Sequence, residues 1–528
     1  MERLASNKNT RSLDYSSDRC GVGHMYVLID TNIFISREAD RITPPNLTSL
    51  EKILKKNNVS VIVHPNSVAE LNDYENKVRR KIALSKIEAY LKLEKPPEYS
   101  KDETFVEAVN KGNTGIDDVD KSLLYAVCKN AVTFLITEDR GILSQANLLG
   151  IRANVLSVNE ALNLFQKLFS EIEIIKPPQL KEDFVYNLDK TDPIFDSLRS
   201  EYGEFDTWLA KVAGQHRKCF TTKKIDGKLG AVEIYKEEDD TIDLVPTPLP
   251  KKMRLKISLM KVTDSGYRIG ELLLKLAIRY SVEKDIDEIY LTHFTKPNDS
   301  LVSLISEYGF YKAGTNKRGE EVFVKHLKAP VGVLSTMSPI EACKKYYPSF
   351  YDGSKVHKFI IPIKPVYEET LFIDFYKKGI QARLGQVGSQ FAVEGNTIKK
   401  VYLTQSNIKK IGVGDIVLFY RTENNQLLLA LGVVENLALG VSKIEELLKF
   451  IGNRTVYPAT EIETMLKRNE ITAISFIWIT YFKNKITERD LKEMGAFERV
   501  PMSVMQITED AYQKIKDKGG IDASYIIN

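Results

Sequence analysis

Carboxylates recur in the first third of the chain where apolar runs end or helical patterns begin. Asp30 closes the first run within Ile-Asp-Thr-Asn, Glu70 begins the helix after a second run, Asp139 follows a third, and three aspartates lie between residues 117 and 120. Acids that meet at the carboxyl edge of a parallel sheet repel one another unless a cation lies between them. Oxygen ligands without His or Cys favour Mg²⁺ or Mn²⁺, and such a site can activate water for phosphodiester hydrolysis.

Each of these acids also has an ordinary explanation. A lone aspartate at a strand end or helix start is more often an N-cap than a ligand, and we expect Asp117 and Asp118 to be caps. Because the run is D-D-V-D, either of them could replace Asp120 as the third acid. The basic run at 77–81, with Arg79 and Arg80, either holds a nucleic-acid backbone beside the acids or forms a solvated helix face.

The elements that must position these acids follow from the apolar pattern. Strand-length apolar runs begin at Met25, Ser60 and Val132, with helical patterns between them. Strand–helix alternation predicts a parallel sheet with helices on both faces. We therefore expect a flexible leader over 1–23 and an α/β unit over 24–172.

The order D-T-N, E, D and T-x-D resembles the PIN nuclease domain, from Met25 to about Phe169. The resemblance implies that Asp30, Glu70, Asp120 and Asp139 are catalytic and bind Mg²⁺ or Mn²⁺. It implies that polar side chains at 32 and 137, Asn32 and Thr137, orient the first and last acids. It further implies a metal-dependent endoribonuclease, with a toxin or defence role and an antitoxin protein as partner.

The second unit, over 180–328, has an α+β pattern in which the strand LKISLMKV leads through T-D-S-G-Y-R-I-G into a long helix. Backbone N–H groups at such a helix start can bind pyrophosphate. The segment resembles the GNAT acetyltransferase fold from about Phe184 to Leu327. The resemblance implies acetyl-coenzyme A bound along the turn, at Val262, Gly266, Arg268 and Gly270.

The turn departs from the family pattern R/Q-x-x-G-x-G/A. Ser265 stands at its first position and Arg268 replaces its first glycine. Arg268 either blocks the cofactor or contacts one of its phosphates. Ile305 occupies the place where many members carry a tyrosine, and Tyr308 follows one turn later. His293 is a candidate base, although a His at a strand end is more often structural.

After a linker over 329–352, strand-like runs dominate residues 353–528 and predict a small β-barrel. The motif G-D-I-V-L-F-Y resembles the PUA-like superfamily, particularly its ASCH and EVE branches, which implies RNA binding. Lys364, Tyr420 and Arg421 are the candidate contacts, because an aromatic face with nearby cations stacks on bases and holds phosphates. The alternative is that Tyr420 belongs to the core, which is also where we expect Trp478.

Composition limits the function classes. The 528 residues are 43% hydrophobic and 28% charged with a net charge of +4, which is ordinary for a folded multidomain α/β protein. The sequence contains no apolar run long enough to predict a membrane span. Its four dispersed cysteines fit a cytoplasmic protein better than a disulfide framework. Three hypotheses remain. The first is an endoribonuclease whose PUA-like unit selects RNA such as tRNA or rRNA, with DNA open as an alternative substrate because the acids cannot tell ribose from deoxyribose. The others are an N-acetyltransferase acting on an RNA-linked or protein substrate and a non-catalytic RNA-binding adaptor.

Overall fold

Four β-sheets organise the chain in the computed structural model. The described residues are 25–31, 33, 45–57, 59–72, 87, 90–111, 114–169, 179–224, 226–263, 268–376, 390–392, 397–423, 426–454, 457 and 459–527. The predicted leader and the basic run at 77–81 lie outside these residues.

The first sheet is parallel throughout, in the order β3-β2-β1-β4-β5. Its strands are β1 (Tyr26–Ile29), β2 (Ser60–Val63), β3 (Leu91–Lys92), β4 (Phe134–Ile136) and β5 (Val155–Leu156). Its helices are α1 (Pro45–Lys56), α2 (Pro65–Asn72), α3 (Glu103–Lys111), α4 (Asp118–Cys128), α5 (Arg140–Leu148) and α6 (Val158–Phe169). Along β1, Val27 and Ile29 pack with α1 and α6 while Leu28 packs with α4, so helices cover both faces as predicted.

The described second sheet has eight strands in the order β11-β12-β10-β9-β8-β7-β6-β15, and the last of these, β15, covers Gln390–Ala392. Its consecutive strands are β6 (Gln179–Phe184), β7 (Lys218–Lys223), β8 (Leu229–Ile242), β9 (Leu249–Val262), β10 (Glu288–His293), β11 (Tyr311–Thr315) and β12 (Glu321–His326). Helices α7 (Asp196–Glu201) and α8 (Phe205–Gly214) lie on one face, and α9 (Ile269–Glu283) and α10 (Ser300–Glu307) lie on the other. The Asp226-Gly227 turn lies between β7 and β8, which pair as an antiparallel hairpin.

The acidic, Pro-rich segment between 236 and 252 belongs mainly to two strands. β8 and β9 extend through it as a long antiparallel hairpin. Asp240 pairs with Lys252 across the hairpin, and Lys251 lies 3.4 Å from Asp239. Opposite charges on facing strands offset the low strand propensity of the acidic residues.

The third sheet is mixed, in the order β16-β19-β18-β17-β14-β20. Its strands are β14 (Lys358–Ile363), β16 (Lys399–Thr404), β17 (Ile416–Arg421), β18 (Leu427–Val441), β19 (Ile471–Thr487) and β20 (Met505–Ile507). Within the described residues, no pairing joins the edge strands β16 and β20. The described sheet is therefore open, whereas we predicted a closed barrel. Helices α12 (Pro365–Leu371), α13 (Ile373–Tyr376), α14 (Ile444–Ile451), α15 (Ala459–Arg468), α16 (Glu488–Glu493) and α17 (Glu509–Gly519) accompany it.

Secondary structure also crosses the expected unit boundaries. The predicted linker contains helix α11 (Pro339–Tyr346) and strand β13 (Phe350–Tyr351), which pairs with β21 (Ile526–Ile527). Strand β15 (Gln390–Ala392), from the predicted third unit, pairs with β6 of the second sheet.

The apolar cores are continuous between units as well. One core joins α9 and α10 to strands of the third sheet, and another joins α1 and α6 to α14. Helix α14 presents Ile444, Leu447, Leu448 and Ile451, spaced i, i+3, i+4 and i+7, to that second core. In the part of the chain that the model describes, no helix is both long and apolar enough to cross a membrane.

Candidate functional site

Three of the four predicted acids meet at the carboxyl edge of the first sheet. Thr137, at the end of β4, donates through Oγ1 to Asp30 Oδ2 at 2.6 Å and accepts the Asp139 N–H at 3.0 Å. Burial raises the pKa of Asp120 to about 7, and the charges of Asp117, Asp30 and Asp139 add to the rise. The fold therefore brings Asp30, Asp120 and Asp139 close enough to repel one another.

The other acids of this region have different surroundings. Asp117 caps α4, accepting the N–H groups of Val119 and Asp120, and Asp118 is exposed and pairs with Lys121. Asp117 is therefore the expected N-cap, whereas Asp118 is the first residue of the helix and not a cap. Glu70 is exposed on α2; burial and the Asp117 charge raise its pKa. Asn32, Arg79 and Arg80 lie outside the described residues.

The carboxylates of these acids do not form a metal-ligand set in the described structure. Among the described residues, no group of three or more His, Cys, Asp or Glu could hold an ion. Each of the three converging carboxylates already accepts a protein hydrogen bond: Asp30 from Thr137, Asp120 from the Asp117 N–H, and Asp139 from the N–H groups of Gly141 and Ile142. The predicted Mg²⁺ or Mn²⁺ is therefore not supported by this geometry.

A cleft opens in the second sheet where β9 and β10 diverge. The two parallel strands pair only over Leu255–Ile257 and Ile289–Leu291. Opposite β8, the register shifts between Ile234 and Tyr235 and leaves Ser258 as a bulge in β9. A bulge bends its strand and increases the local twist. Beyond Ile257, β9 therefore turns away from β10 and continues with its β10-facing edge unpaired in the described structure.

Helix α9 starts beside this cleft. Arg268 is its N-cap residue, with a left-handed φ of 55° and no side-chain cap. The Arg268 guanidinium lies 3.4 Å from Glu271, and burial together with Arg454 lowers its pKa to about 10. A Cβ at Gly270 would lie 2.8 Å from Leu304 of α10, so this glycine permits close helix packing. Gly266 lies outside the described residues.

Charged residues of the third unit complete the start of α9. Glu271 accepts the N–H groups of Ile398 and Lys399 at 2.9 and 3.0 Å and lies 3.6 Å from Arg454. Burial alone would raise the pKa of Glu271, but Arg454 and Arg268 lower it to about 2. Lys399 also pairs with Glu307 at 2.6 Å and with Glu435 at 2.8 Å. We call Arg268, Glu271, Glu307, Lys399, Glu435 and Arg454 the interdomain ion network.

His293, at the end of β10, belongs to the cleft. Its Nε2 lies 2.7 Å from Asp299 Oδ2, and Asp299 caps α10 through the N–H groups of Leu301 and Val302. Burial opposes ionisation of Asp299, but the hydrogen bond with His293 lowers its pKa. Tyr308, by contrast, is 3% exposed and packs in the core, with its hydroxyl toward Glu271.

The cleft is part of one large cavity that the three units share. Its volume is about 1940 Å³. Val262, Arg268 and Gly270 line it, together with His293, so three predicted cofactor residues and the candidate base meet in one space. The first unit contributes Arg140, Leu143, Ser144, Asn147, Gly150, Arg152, Ala153 and Glu160, and the third contributes Lys399, Val401, Glu435, Asn436, Phe450, Ile451, Arg454 and Ser475.

Two predicted nucleic-acid contacts in the third unit are buried in the structure. Tyr420 has no exposed surface, and its ring packs edge-on against Phe497. Arg421 is buried and forms a two-pronged pair with Glu368 at 2.6 and 2.8 Å. Both side chains of β17 are buried because the strand is packed on both of its faces. Lys364 is exposed before α12 and stays a candidate.

Sequence reasoning missed the ion network and the role of Ser258. The network joins residues more than 120 positions apart, such as Glu271 and Lys399, and no local motif marks it. The bulge is a property of strand register, which one strand's sequence does not reveal. The His293–Asp299 pair had a signal, since both residues flank one short loop.

No protein-family model and no curated protein matches the chain. Solved structures resemble parts of it. ASCH from Zymomonas mobilis matches 30% of this chain and 94% of its own, with 13% identity and a TM-score of 0.23. A GNAT-family acetyltransferase from Listeria monocytogenes 4b F2365 matches 25% of this chain and 85% of its own, with 17% identity and a TM-score of 0.20.

A third similar structure is the PaiA N-acetyltransferase from Thermoplasma acidophilum in complex with coenzyme A. It matches 25% of this chain and 79% of its own, with 13% identity and a TM-score of 0.19. The neighbours thus include ASCH and GNAT folds, each over less than a third of the chain. None of these three is a nuclease of the PIN type, and that resemblance stays a prediction. Conclusions about function depend on the geometry of the sites.

Proposed function

We propose that the chain is an acyltransferase that binds an acyl-coenzyme A between β9 and β10. The observation that carries the proposal is the divergence of these strands after three paired residues, beside a cavity of about 1940 Å³. The edge of β9 from Ser258 to Val262 has no partner strand on the β10 side in the described structure. Unpaired strand backbone can donate to and accept from an extended ligand that carries amides.

The start of α9 fits the pyrophosphate of the coenzyme in charge. The Arg268 side chain does not cap the first N–H groups of this helix, and the helix dipole favours an anion there. Arg268 and Arg454 line the same space, where their guanidinium groups lie against Glu271. When bound, the coenzyme supplies a thioester whose C–S bond breaks as the acyl group passes to an acceptor hydroxyl or amine.

His293 is the base in this proposal. Asp299 lies against Nε2, so the neutral ring carries its proton there and Nδ1 is the basic nitrogen. A base that a carboxylate orients is the arrangement that activates a nucleophile in many transferases and hydrolases. His293 therefore takes the acceptor's proton at Nδ1, while Asp299 holds the ring.

Calorimetric titration of acetyl-coenzyme A into the full chain tests the proposal. We expect saturable binding tighter than about 1 mM, and roughly tenfold weaker binding for Arg268→Gln, which is ~1.4 kcal/mol. Arg279→Gln, on the exposed side of the same helix, is the matched control and keeps wild-type affinity. Absence of binding in the wild type, with acetyl-coenzyme A and with free coenzyme A, would refute the acyltransferase.

A second function, metal-dependent phosphodiester hydrolysis, is favoured by one observation. Asp30, Asp120 and Asp139 converge at the carboxyl edge of a parallel sheet, with Thr137 between two of them. In such a sheet this edge is where ligands bind. The three carboxylates form no metal-ligand set in the described structure, so this second function depends on a bound cation that would draw them together and relieve their repulsion.

Total cellular RNA, incubated with Mn²⁺ or with EDTA, tests this second function. We expect discrete cuts with the wild type in Mn²⁺ and none with Asp30→Asn. Asp118→Asn is the matched control, because Asp118 is exposed and belongs to the same acidic region without facing the cluster. Intact RNA in every lane would refute this second function and leave the acids with a structural role.

A further inference from the structure

The face of the second sheet opposite α9 carries a row of basic side chains. In β9, Leu255 and Ile257 pack toward α9, so Lys256 between them points to the opposite face of the sheet. After the bulge at Ser258, Leu259 packs with α8 on that opposite face, and Lys261 lies on the same face as Leu259. Arg217 approaches from the start of β7 and donates to Ser258 Oγ at 3.3 Å. Lys211 comes from α8, and all four basic residues line the cavity.

Part of the positive charge in the cavity has no carboxylate partner. Fourteen Lys and Arg residues line the cavity against nine Asp and Glu. Within the described structure, Lys211, Lys261 and Arg318 have no carboxylate partner, whereas Lys256 lies over the Tyr290 ring at 5.2 Å and interacts with the charges of Glu238 and Glu320. A concave surface with excess positive charge concentrates anions. The ligand on this face therefore carries several negative charges.

Aromatic rings stand beside the basic row. Tyr202, Trp208 and Phe294 line the same part of the cavity and are half-buried. The Tyr202 and Phe294 rings lie 5.3 Å apart at an angle of 42°. Partly exposed rings with nearby cations stack on bases and hold the phosphates between them, which is the combination that single strands require. An acidic peptide would use the cations but would leave the rings without planar partners.

The size of the cavity allows two ligands at once. Pockets for one small molecule are typically about 300–1000 Å³, and this cavity has about 1940 Å³. The β9–β10 opening connects the side of α9 to the side of α7 and α8. An acyl donor at the α9 side would leave the basic and aromatic face to the second substrate.

We infer that this face binds a single-stranded nucleic acid as the substrate of the proposed acyltransferase. That the nucleic acid is a substrate rests on the proposed function, whereas its binding rests on the basic row and the aromatic rings. Lys211, Arg217, Lys256 and Lys261 hold phosphates, and Tyr202, Trp208 and Phe294 contact bases. Arg140, directly after Asp139, extends the same wall into the first unit.

Fluorescence anisotropy of the full chain with a labelled single-stranded RNA of about 12 nucleotides tests the inference, since single-strand sites cover roughly 4–16 nucleotides. The test variant is Lys211→Gln/Lys261→Gln. We expect at least tenfold weaker binding and a slope of log affinity against log salt that falls by about 1.4, or ~0.7 for each lost phosphate contact. Lys224→Gln/Lys228→Gln, at the tip of the β7–β8 hairpin and outside the cavity, should bind as the wild type does.

Each other outcome overturns the inference in a distinct way. Equal RNA affinity in both double variants would place the RNA elsewhere on the chain. Binding of poly-glutamate without binding of RNA would replace the nucleic acid by an acidic protein. Acetyl-coenzyme A titration of the same variants separates this test from the proposed function: if the coenzyme fails to bind while the RNA result holds, the acyltransferase fails and the nucleic-acid site stands.

Discussion

The interdomain ion network predicts a large cost for neutralising Glu271. This side chain is 5% exposed and accepts two backbone N–H groups of the third unit, and Arg268 and Arg454 lie on either side of it. In Glu271→Gln the shape is kept, but the two guanidinium groups face a neutral amide. Their mutual repulsion in a buried site is then uncompensated.

Two estimates of that cost agree. Removing one partner from a buried ion pair typically destabilises a protein by ~3–5 kcal/mol. The pKa of Glu271 is about 2 in the folded chain against an ordinary 4.5, and at about 1.36 kcal/mol per pH unit the difference is ~3 kcal/mol. Because the folded pKa is lowered, this stability is present above pH 4.5 and is lost as the pH falls from about 4.5 to about 2.

Urea unfolding measures the effect. The chain has two tryptophans, so a Trp208→Phe background leaves Trp478 as the fluorescent reporter, and its ring lies 4.3 Å from the Lys275 ammonium of α9. At pH 7 we expect Glu271→Gln to lower the unfolding free energy by ~3 kcal/mol, with the difference shrinking toward pH 2. Glu283→Gln, an exposed partner of Arg279 on the same helix, should cost under about 0.5 kcal/mol. Equal losses in the two variants would refute the reasoning.

Three further substitutions test single features of the fold. Glu233 is fully buried, and both of its carboxylate oxygens are unpartnered in the described structure. Because burial raises the pKa of Glu233, the stability of the wild type should fall as the pH rises. Glu233→Leu should remove that fall and raise the melting temperature at pH 8. Tyr420→Phe should leave RNA affinity unchanged, and a clear loss would restore Tyr420 as a contact. Arg421→Met should cost ~3–5 kcal/mol in urea unfolding because it strands the buried Glu368 charge, and a neutral result would contradict the ion pair.

The local pattern of the chain predicted its elements well where a periodic signal exists. Apolar runs marked β1, β2 and β4, and the parallel order followed from the alternation with helices. The meeting of Asp30 with Asp139 was predictable because strand ends in a parallel sheet share an edge. The Asp117 cap was predictable from an aspartate directly before a helical pattern. The acidic hairpin was not, since its pairing depends on lysines that lie on the opposite strand.

Tertiary structure alone decided which residues share the large cavity. The sequence determined that a bulky basic residue, Arg268, stands at the start of a long helix, but its pairing with Glu271 and the approach of Arg454 depend on how the third unit packs. The burial of Tyr420 likewise follows from packing on both faces of β17, where Tyr420 belongs to one core and its neighbour Phe419 to another. Local propensities act over a few residues, whereas burial and charge pairing are set by contacts between residues distant in the chain, and so the elements were predictable while the composition of the site was not.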